Sequence, residues 1–453
     1  MTYLRVVIIG GSHAGIAAAR HLKRINPATE VIIIEKSMSL GYIGSSLNLY
    51  LEGVIDSLED ARSVTPSELV SEQINVLMNS EVIHIDEKKK NIEFVTSNEE
   101  QPQDFIYYDY LILAMGSSQY LSEVEMNEKD SVVNFKTFSQ SKNALTTLTN
   151  AKKVAIIGAG LIGFELAETL SQLDKEVYLI DRMSNVLFRY FDEEISSELV
   201  KKLPNNVHLI LNSNVRELNL AENGKKDLLL TNGHSLTVDE AVYAINPRPN
   251  VDLVADLLEI NMDGTVKTDK FLETSNPFIY AVGDLTSVHF NHAEESIYIP
   301  LVTNAYRTGM IAASNILRRE KIPFPKVQRT IVSELFDSYL ASCGINEEEA
   351  PYYGFEVASV TKRYQQQAMF NKEQFDLLLK LVFDKETKQL MGAQLMTNNQ
   401  RTLEIINTLS VLITTETTLH QLVTMDFYFN PKLSMPLHFL NDLAMEAVIL
   451  QEE

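Results

Sequence analysis

Cysteine is almost absent from this sequence. Cys343 is the single cysteine among 453 residues. One thiol excludes a disulfide framework within the chain, and we expect a reducing, cytoplasmic environment. The surrounding segment, Leu340-Ala341-Ser342-Cys343-Gly344-Ile345, is apolar, which favours a small buried side chain over a reactive thiol.

Long hydrophobic runs and positive charge are also scarce. No uninterrupted apolar stretch reaches about 18 residues, so we expect no transmembrane helix. Gly10 and Gly11 break the first apolar run too early for a signal peptide. The formal charge is −22, from 61 acidic and 39 basic side chains. Such a chain repels nucleic acid and anionic lipid, so we expect neither as a partner. We also predict no metal site.

Two glycine-rich turns stand out against this background. The first, at residues 10–15, follows the apolar run Leu4–Ile9, and the second, at residues 158–163, follows Val154–Ile157. In both copies a helical pattern and a second apolar strand follow the turn. The second strands end at Glu35 and Asp181, respectively 20 and 18 positions after the last glycine of their turns. This duplication predicts two dinucleotide-binding units.

The chemistry of such a turn explains its residues. The first glycine permits the tight turn, the last lets helix and strand pack closely, and the pyrophosphate rests on free N–H groups at the helix start. Ser12 replaces the middle glycine of the first turn. A carboxylate at the end of the second strand accepts hydrogen bonds from a ribose 2′-hydroxyl. Asp181 therefore favours NADH over NADPH, although the adjacent Arg182 weakens that preference.

The strand and helix patterns predict an α/β fold with two Rossmann-like dinucleotide-binding domains and a C-terminal α+β domain. Continuous Val- and Ile-rich runs are typical of parallel strands that are covered on both faces. Beyond residue 325 the pattern changes to a strand pair, 377–383 and 390–396, with helical patterns near 402–414 and 440–450. We predict a discontinuous first domain (1–118 and 246–325), a second domain (119–245) and a third (326–453).

Together these motifs resemble those of the FAD-dependent pyridine nucleotide–disulfide oxidoreductases, in the branch of NADH peroxidase, NADH oxidase and coenzyme A disulfide reductase. The resemblance covers nearly the whole chain. It rests on residues 10–15, 49–53, 108–116, 158–163, 248–250, 281–284 and 303–305. It implies FAD in the first domain, NAD(H) in the second, and a homodimer formed by the third, which helps to close the partner's active site.

The resemblance also implies particular contact residues. Asp284 would bind the ribityl chain of FAD, whereas taken alone it reads equally well as a helix cap. Tyr190 would contact the nicotinamide dinucleotide. The FAD set is Gly10, Gly11, Ser12, Ala14, Gly15, Glu35, Lys36, Ser45, Val82, Ala114, Gly116, Asp284 and Leu301. The NAD(H) set is Gly158, Gly160, Leu161, Ile162, Gly163, Glu165, Asp181, Tyr190 and Asn246.

One departure from the family pattern changes the expected chemistry. Members of this branch carry a redox cysteine a few residues before the segment that here reads Leu49–Gly53, and the matching residue in this chain is Ser45. A thiol of reference pKa about 8.5 can become a thiolate and cycle through a sulfenic acid or a disulfide. A serine hydroxyl can do neither, so the cysteine's role does not pass to Ser45.

Three further positions bear on the active site. His13 matches an active-site histidine of the peroxidase-like relatives, and it is either a proton donor or a neutral ring packed on the cofactor. A nucleophilic Ser45–His13 pair lacks an orienting third group. Leu161 replaces a gating tyrosine, and Asn246 replaces a glycine, both where nicotinamide should approach.

We therefore expect an FAD-dependent NADH oxidoreductase that works without a protein thiol. Hydride would pass from NADH to the flavin, and the electrons would go directly to oxygen, giving hydrogen peroxide, or to a quinone or another small oxidant. Two alternatives remain open. The chain could be a flavin- or nucleotide-binding sensor or partner protein whose catalysis has decayed, or a disulfide reductase that uses an external thiol such as coenzyme A.

Overall fold

The structure is a computed structural model that describes residues 4–96, 104–119, 124–128, 132–245, 247–370 and 374–452. The first elements in chain order are β1 (Arg5–Ile9), α1 (His13–Ile25), β2 (Glu30–Ile34), α2 (Ser46–Leu51), α3 (Pro66–Ser71), β3 (Ile74–Leu77), β4 (Ser80–Asp86), β5 (Asn91–Thr96), β6 (Asp104–Tyr107), β7 (Tyr110–Leu113) and β8 (Ser117–Ser118). The next are β9 (Glu125–Met126), α4 (Phe138–Asn150), β10 (Lys153–Ile157), α5 (Leu161–Gln172), β11 (Glu176–Ile180), α6 (Glu193–Val200), β12 (Val207–Ile210), β13 (Val215–Leu220), β14 (Lys226–Leu230), β15 (Ser235–Val238) and β16 (Glu240–Tyr243).

The remaining elements complete the first unit and build the C-terminal part. Residues 248–317 contain β17 (Arg248–Pro249), β18 (Ile279–Ala281), β19 (Val288–His289), β20 (Ser296–Ile297) and α7 (Val302–Leu317). The C-terminal elements are β21 (Ile331–Glu334), β22 (Tyr339–Gly344), β23 (Val357–Tyr364), β24 (Leu377–Asp384), β25 (Leu390–Thr397), α8 (Ile405–Thr414), α9 (Leu419–Val423) and α10 (Phe439–Glu452).

The first unit is built on a parallel sheet of order β18-β7-β1-β2-β3. Its edge strand β18 comes from the chain beyond the second unit, as a discontinuous unit requires. Val6 and Ile8 of β1 point into one apolar core, and Val7 and Ile9 point into another on the opposite face. Burial on both faces explains the unbroken apolar run, because side chains alternate across a strand.

The second unit repeats this plan in a parallel sheet of order β12-β11-β10-β16. Both sheets confirm the predicted Rossmann-like pair. Their helices begin three residues earlier than expected: the patterns predict helices near residues 16–24 and 164–173, and the structure has α1 at His13–Ile25 and α5 at Leu161–Gln172. The last residues of each glycine turn already form the first helical turn.

The C-terminal part is an antiparallel sheet of order β21-β22-β25-β24-β23, with α8, α9 and α10 sharing one apolar core with it. This confirms the predicted change to an α+β arrangement and the strand pair β24–β25. Cys343 lies on β22 with 2% of its surface exposed, and burial raises the pKa of its thiol. The thiol is therefore inert. The exact domain boundaries stay predictions, and Asn246 at one of them lies outside the described residues.

The glycine turns predict a matched pair of stability effects. Gly10 has φ +109°, and a Cβ there would lie 2.3 Å from the Ala114 carbonyl oxygen. Gly160 has φ −80°, and a Cβ there would have no neighbour within 4 Å. Gly10→Ala should lower the free energy of unfolding of the apoprotein by about 2 kcal/mol or more. Gly160→Ala, at the N-cap of α5, should cost less, about 1 kcal/mol or below, in denaturant titrations. Equal losses in the two variants would contradict this.

Candidate active site

One continuous cavity of about 1530 Å³ lies at the carboxyl ends of β1 and β10. It brings both glycine turns together, as ligand sites in parallel sheets do. Most of the predicted site residues line it: Gly10, Gly11, Ser12, His13, Ala14, Glu35, Lys36, Ser45, Val82, Ala114, Gly116, Asp284, Leu301, Gly158, Gly160, Leu161, Ile162, Glu165, Asp181 and Tyr190. Both predicted dinucleotide sites therefore open into one cavity.

Gly15 and Gly163 do not line the cavity and serve packing instead. A Cβ on Gly15 would lie 2.0 Å from the Gly10 carbonyl oxygen, and a Cβ on Gly163 would lie 1.9 Å from that of Gly158. Each helix can approach the preceding turn so closely only because this position has no side chain. The contact aims the free N–H groups at the helix start toward the cavity.

The two acidic residues after the second strands are held in the same way. The Gly11 N–H donates to Glu35 Oε2 at 2.7 Å, and the Ser37 N–H donates to Oε1 at 2.8 Å. In the second unit the Ala159 N–H donates to Asp181 Oδ2 at 2.7 Å, and the Met183 N–H donates to Oδ1 at 2.9 Å. Each carboxylate is thus fixed by backbone, with lone pairs left for a ribose hydroxyl.

Two polar side chains that no sequence motif predicted lie against Asp284. The Ser117 hydroxyl donates to Asp284 Oδ2 at 2.7 Å, and Lys136 Nζ lies 3.3 Å from the same oxygen. Lys136 also donates to the Ser117 hydroxyl. Burial lowers the pKa of Lys136, and the charge of Asp284 opposes this effect. No motif marks Lys136 or Ser117, because each reaches Asp284 from far along the chain.

Several buried polar atoms at the cavity lack partners within the described residues. They are His13 Nδ1, Asn48 Oδ1 and the Ser39 hydroxyl. Buried polar groups in folded proteins nearly always have partners, so these atoms indicate a polar ligand. Their position beside the first glycine turn, Glu35 and Asp284 fits FAD.

Burial of His13 favours the neutral form of its ring. Burial lowers its pKa, and the nearby charge of Asp284 raises it by less. Its ring lies 5.7 Å from that of Tyr306, measured between centroids. Ser45 is exposed at the N-terminus of α2 and makes no capping hydrogen bond. Among the described residues no hydrogen bond joins the His13 ring to the Ser45 hydroxyl.

Three carboxylates meet where α5 leaves the cavity. Glu165 accepts a hydrogen bond from the Ser333 hydroxyl at 2.8 Å, and burial raises its pKa. Glu168 accepts from the Phe336 N–H at 2.8 Å, and burial raises its pKa to about 7. The charge of Glu52 on the adjoining unit raises both pKa values further. The cluster joins α5 to the C-terminal part of the chain.

Comparison with known proteins identifies the class. The family model described as pyridine nucleotide-disulphide oxidoreductase matches residues 4–309, and the dimerisation domain of the same family matches residues 332–438. The chain belongs to the pyridine nucleotide-disulphide oxidoreductase family. This confirms the family resemblance of the sequence motifs.

The similar proteins point to the NADH oxidase branch. An NADH oxidase from Enterococcus faecalis is 30% identical over 98% of this chain and 99% of its own length. The water-forming NADH oxidase from Lactobacillus brevis, solved with NADH bound, has a TM-score of 0.94 and 29% identity, and covers 99% of each chain. An NAD-dependent persulfide reductase from A. fulgidus has a TM-score of 0.92 and 26% identity, covering 99% of this chain and 84% of that protein.

The described residues contain neither a membrane-spanning helix nor a metal-binding cluster. None of the helices there is long and apolar enough to cross a bilayer. In that same part of the chain, no group of three or more His, Cys, Asp or Glu side chains is arranged to hold a metal ion.

The raised pKa of Glu168 predicts a pH effect on stability. The folded chain holds a proton on Glu168 up to about pH 7, whereas the unfolded chain releases it near its ordinary value of 4.5. This group's contribution to stability is therefore present at low pH and lost as pH rises through about 7. Glu168→Gln should reduce the fall in melting temperature between about pH 5 and about pH 8.

Glu198→Gln is the matched control, because a hydrogen bond from Lys201 is the main cause that lowers the pKa of Glu198. That variant should leave the fall at least as large as in the native protein. A Glu168→Gln protein with the full native pH dependence would contradict the assignment.

Proposed function

We propose that this chain is an FAD-dependent NADH oxidoreductase that reduces oxygen directly to hydrogen peroxide. The main support for the proposal is that both dinucleotide-binding turns line one cavity, in which residue 45 is a serine. The residues expected to support hydride transfer from NADH to the flavin are present. The thiol expected to accept electrons from the flavin is absent.

The first unit holds FAD through its own backbone and charges. The N–H groups at the start of α1 would bind the pyrophosphate, and Glu35 would accept from the adenosine ribose. Asp284, which Ser117 and Lys136 hold in place, would accept from the ribityl hydroxyls. Bound FAD supplies acceptance of hydride from NADH and donation of electrons to oxygen.

The second unit binds NADH through the second turn, Asp181 and Tyr190. A 2′-phosphate would meet the fixed carboxylate of Asp181, so the 2′-hydroxyl of NADH is preferred. Arg182 also lines the cavity, and its positive charge weakens the preference for NADH over NADPH. On its own it does not form a binding site for a 2′-phosphate. Leu161, Ile162 and Glu165 line the cavity beside the second turn, where the nicotinamide would lie, and Ser333 donates a hydrogen bond to Glu165. Asn246, in the proposed NADH set, lies outside the described residues.

Oxygen is the acceptor favoured by the names of the relatives, which are NADH oxidases. A quinone has no such support. The balanced reaction is NADH + H⁺ + O₂ → NAD⁺ + H₂O₂. Further reduction of peroxide to water needs a thiolate, and the only cysteine, Cys343, is buried in the C-terminal core. His13 lines the cavity beside the first turn and is positioned to relay the proton that peroxide formation consumes.

We propose that two copies of the chain form a homodimer, which the matched dimerisation domain supports. The free, buried cysteine is compatible with a reducing cytoplasm, which we propose as the location.

The direct test is turnover in air. The purified FAD-loaded protein should consume NADH and release about one hydrogen peroxide per NADH, because each hydride carries two electrons. NADH consumption by absorbance and peroxide by a coupled peroxidase assay give the ratio, with catalase as the control. Water as the sole product would overturn the missing-thiol argument. No consumption of NADH with oxygen, quinones or added thiols would favour the sensor alternative.

Restoring the thiol should change the product. Ser45→Cys should lower the peroxide released per NADH toward zero, because a thiolate at this position attacks peroxide, forming a sulfenate and water. Ser46→Cys is the matched control: Ser46 is fully buried on the same helix, and its hydroxyl donates to the Ile43 carbonyl. It should keep the native ratio. An unchanged ratio in Ser45→Cys would indicate that Leu161 and its surroundings have reshaped the pocket.

A further inference from the structure

The C-terminal part makes two hydrogen bonds to the segment that follows Asp181. Asn185 Nδ2 donates to Glu348 Oε1 at 2.9 Å, and Asn346 Nδ2 donates to the Phe188 carbonyl at 2.7 Å. Asn185 and Phe188 also line the cavity on its NADH side. One wall of the nucleotide site is therefore held in place by residues more than 150 positions further along the same chain.

Arg329 is the buried charge at the centre of this contact. Only 7% of its side chain is exposed. It donates two hydrogen bonds to Glu349, from Nη1 to Oε1 at 2.8 Å and from Nη2 to Oε2 at 2.5 Å. Its Cζ lies 5.6 Å from the centroid of the Tyr190 ring and 5.2 Å from that of Phe290. A planar guanidinium suits this combination of bidentate pairing and aromatic contact, and an ammonium does not.

Arg329 does not itself line the cavity, but two of its partners, Tyr190 and Glu349, do. The Glu349 N–H donates to Asn346 Oδ1 at 2.7 Å, which links the ion pair to the amide that holds Phe188. Removing the guanidinium would free the Tyr190 ring and the Glu349 carboxylate together, both of them on the NADH side of the cavity.

We propose that Arg329 is a positioning residue for the nicotinamide dinucleotide: through Tyr190 and Glu349 it fixes the outer wall of the NADH site. The proposal rests on the proposed function. The ion pair is internally neutral, and Arg329 lines no part of the cavity, so its effect falls on nucleotide affinity and not on the hydride step. The C-terminal part thus builds the nucleotide site of its own chain.

The test uses the FAD-loaded protein and NAD⁺ as the probe. In Arg329→Met the dissociation constant for NAD⁺, from calorimetric titration, should rise about tenfold, the factor that corresponds to about 1.4 kcal/mol. The limiting rate of anaerobic flavin reduction at saturating NADH should stay within about twofold of native. Arg329→Lys should restore part of the affinity, since it keeps the charge but loses the second hydrogen bond.

Arg363→Met is the matched control. Arg363 is a half-exposed arginine of the C-terminal part that also pairs across to the second unit, with Glu198, and has no contact with the cavity wall. Its affinity for NAD⁺ should equal the native value within about twofold. Melting temperatures of all variants separate a loss of affinity from a loss of folding.

A double-mutant cycle decides whether Arg329 acts through Tyr190. The losses of affinity in Tyr190→Leu and Arg329→Met should be less than additive when combined, because the second change removes a contact already lost. If Arg329→Met does not fold, the cycle is run with Arg329→Lys. Native affinity in the Arg329 variants, or strict additivity, would overturn this inference alone. A native protein that NADH cannot reduce would overturn the proposed function instead.

Discussion

The whole arrangement depends on the close approach of a helix start to the end of a parallel strand. In both units a glycine without a side chain lies against the carbonyl of the first turn glycine, where a Cβ would come within 2.0 Å or less. That contact points free backbone N–H groups at the cavity and sets the next N–H against a carboxylate, Glu35 or Asp181. Because the two units repeat it, two dinucleotide sites open into one cavity.

Much of this could be predicted from the sequence because it depends on local patterns. The glycine turns, their acidic partners and the doubly buried strands all show within about 40 residues of chain. The group around Asp284 could not be predicted, since Ser117 lies 167 positions from it and no motif marks Lys136. The same holds for the contact of Glu168 with Phe336. Gly15 and Gly163 lie at the helix–strand contact, as the sequence predicts for the last glycine of each turn.

The substitution at position 45 acts on chemistry and leaves the architecture intact. Ser45 lies exposed on the cavity at the start of α2, where the family resemblance places a redox thiol. The fold and the two glycine turns match those of a two-cofactor oxidoreductase. Our proposal therefore places the difference in where the electrons go after the flavin. The C-terminal part contains the buried Cys343 and, in our proposal, the residues that hold the NADH side of the cavity.

The central claim is that the flavin is the last protein-bound electron carrier. An anaerobic titration of the FAD-loaded protein with NADH tests it most directly, by counting the equivalents needed to complete the absorbance change. We predict an end point of about one NADH per FAD, since a single two-electron centre is present. An end point near two equivalents would show a second redox centre in the protein and would contradict the account.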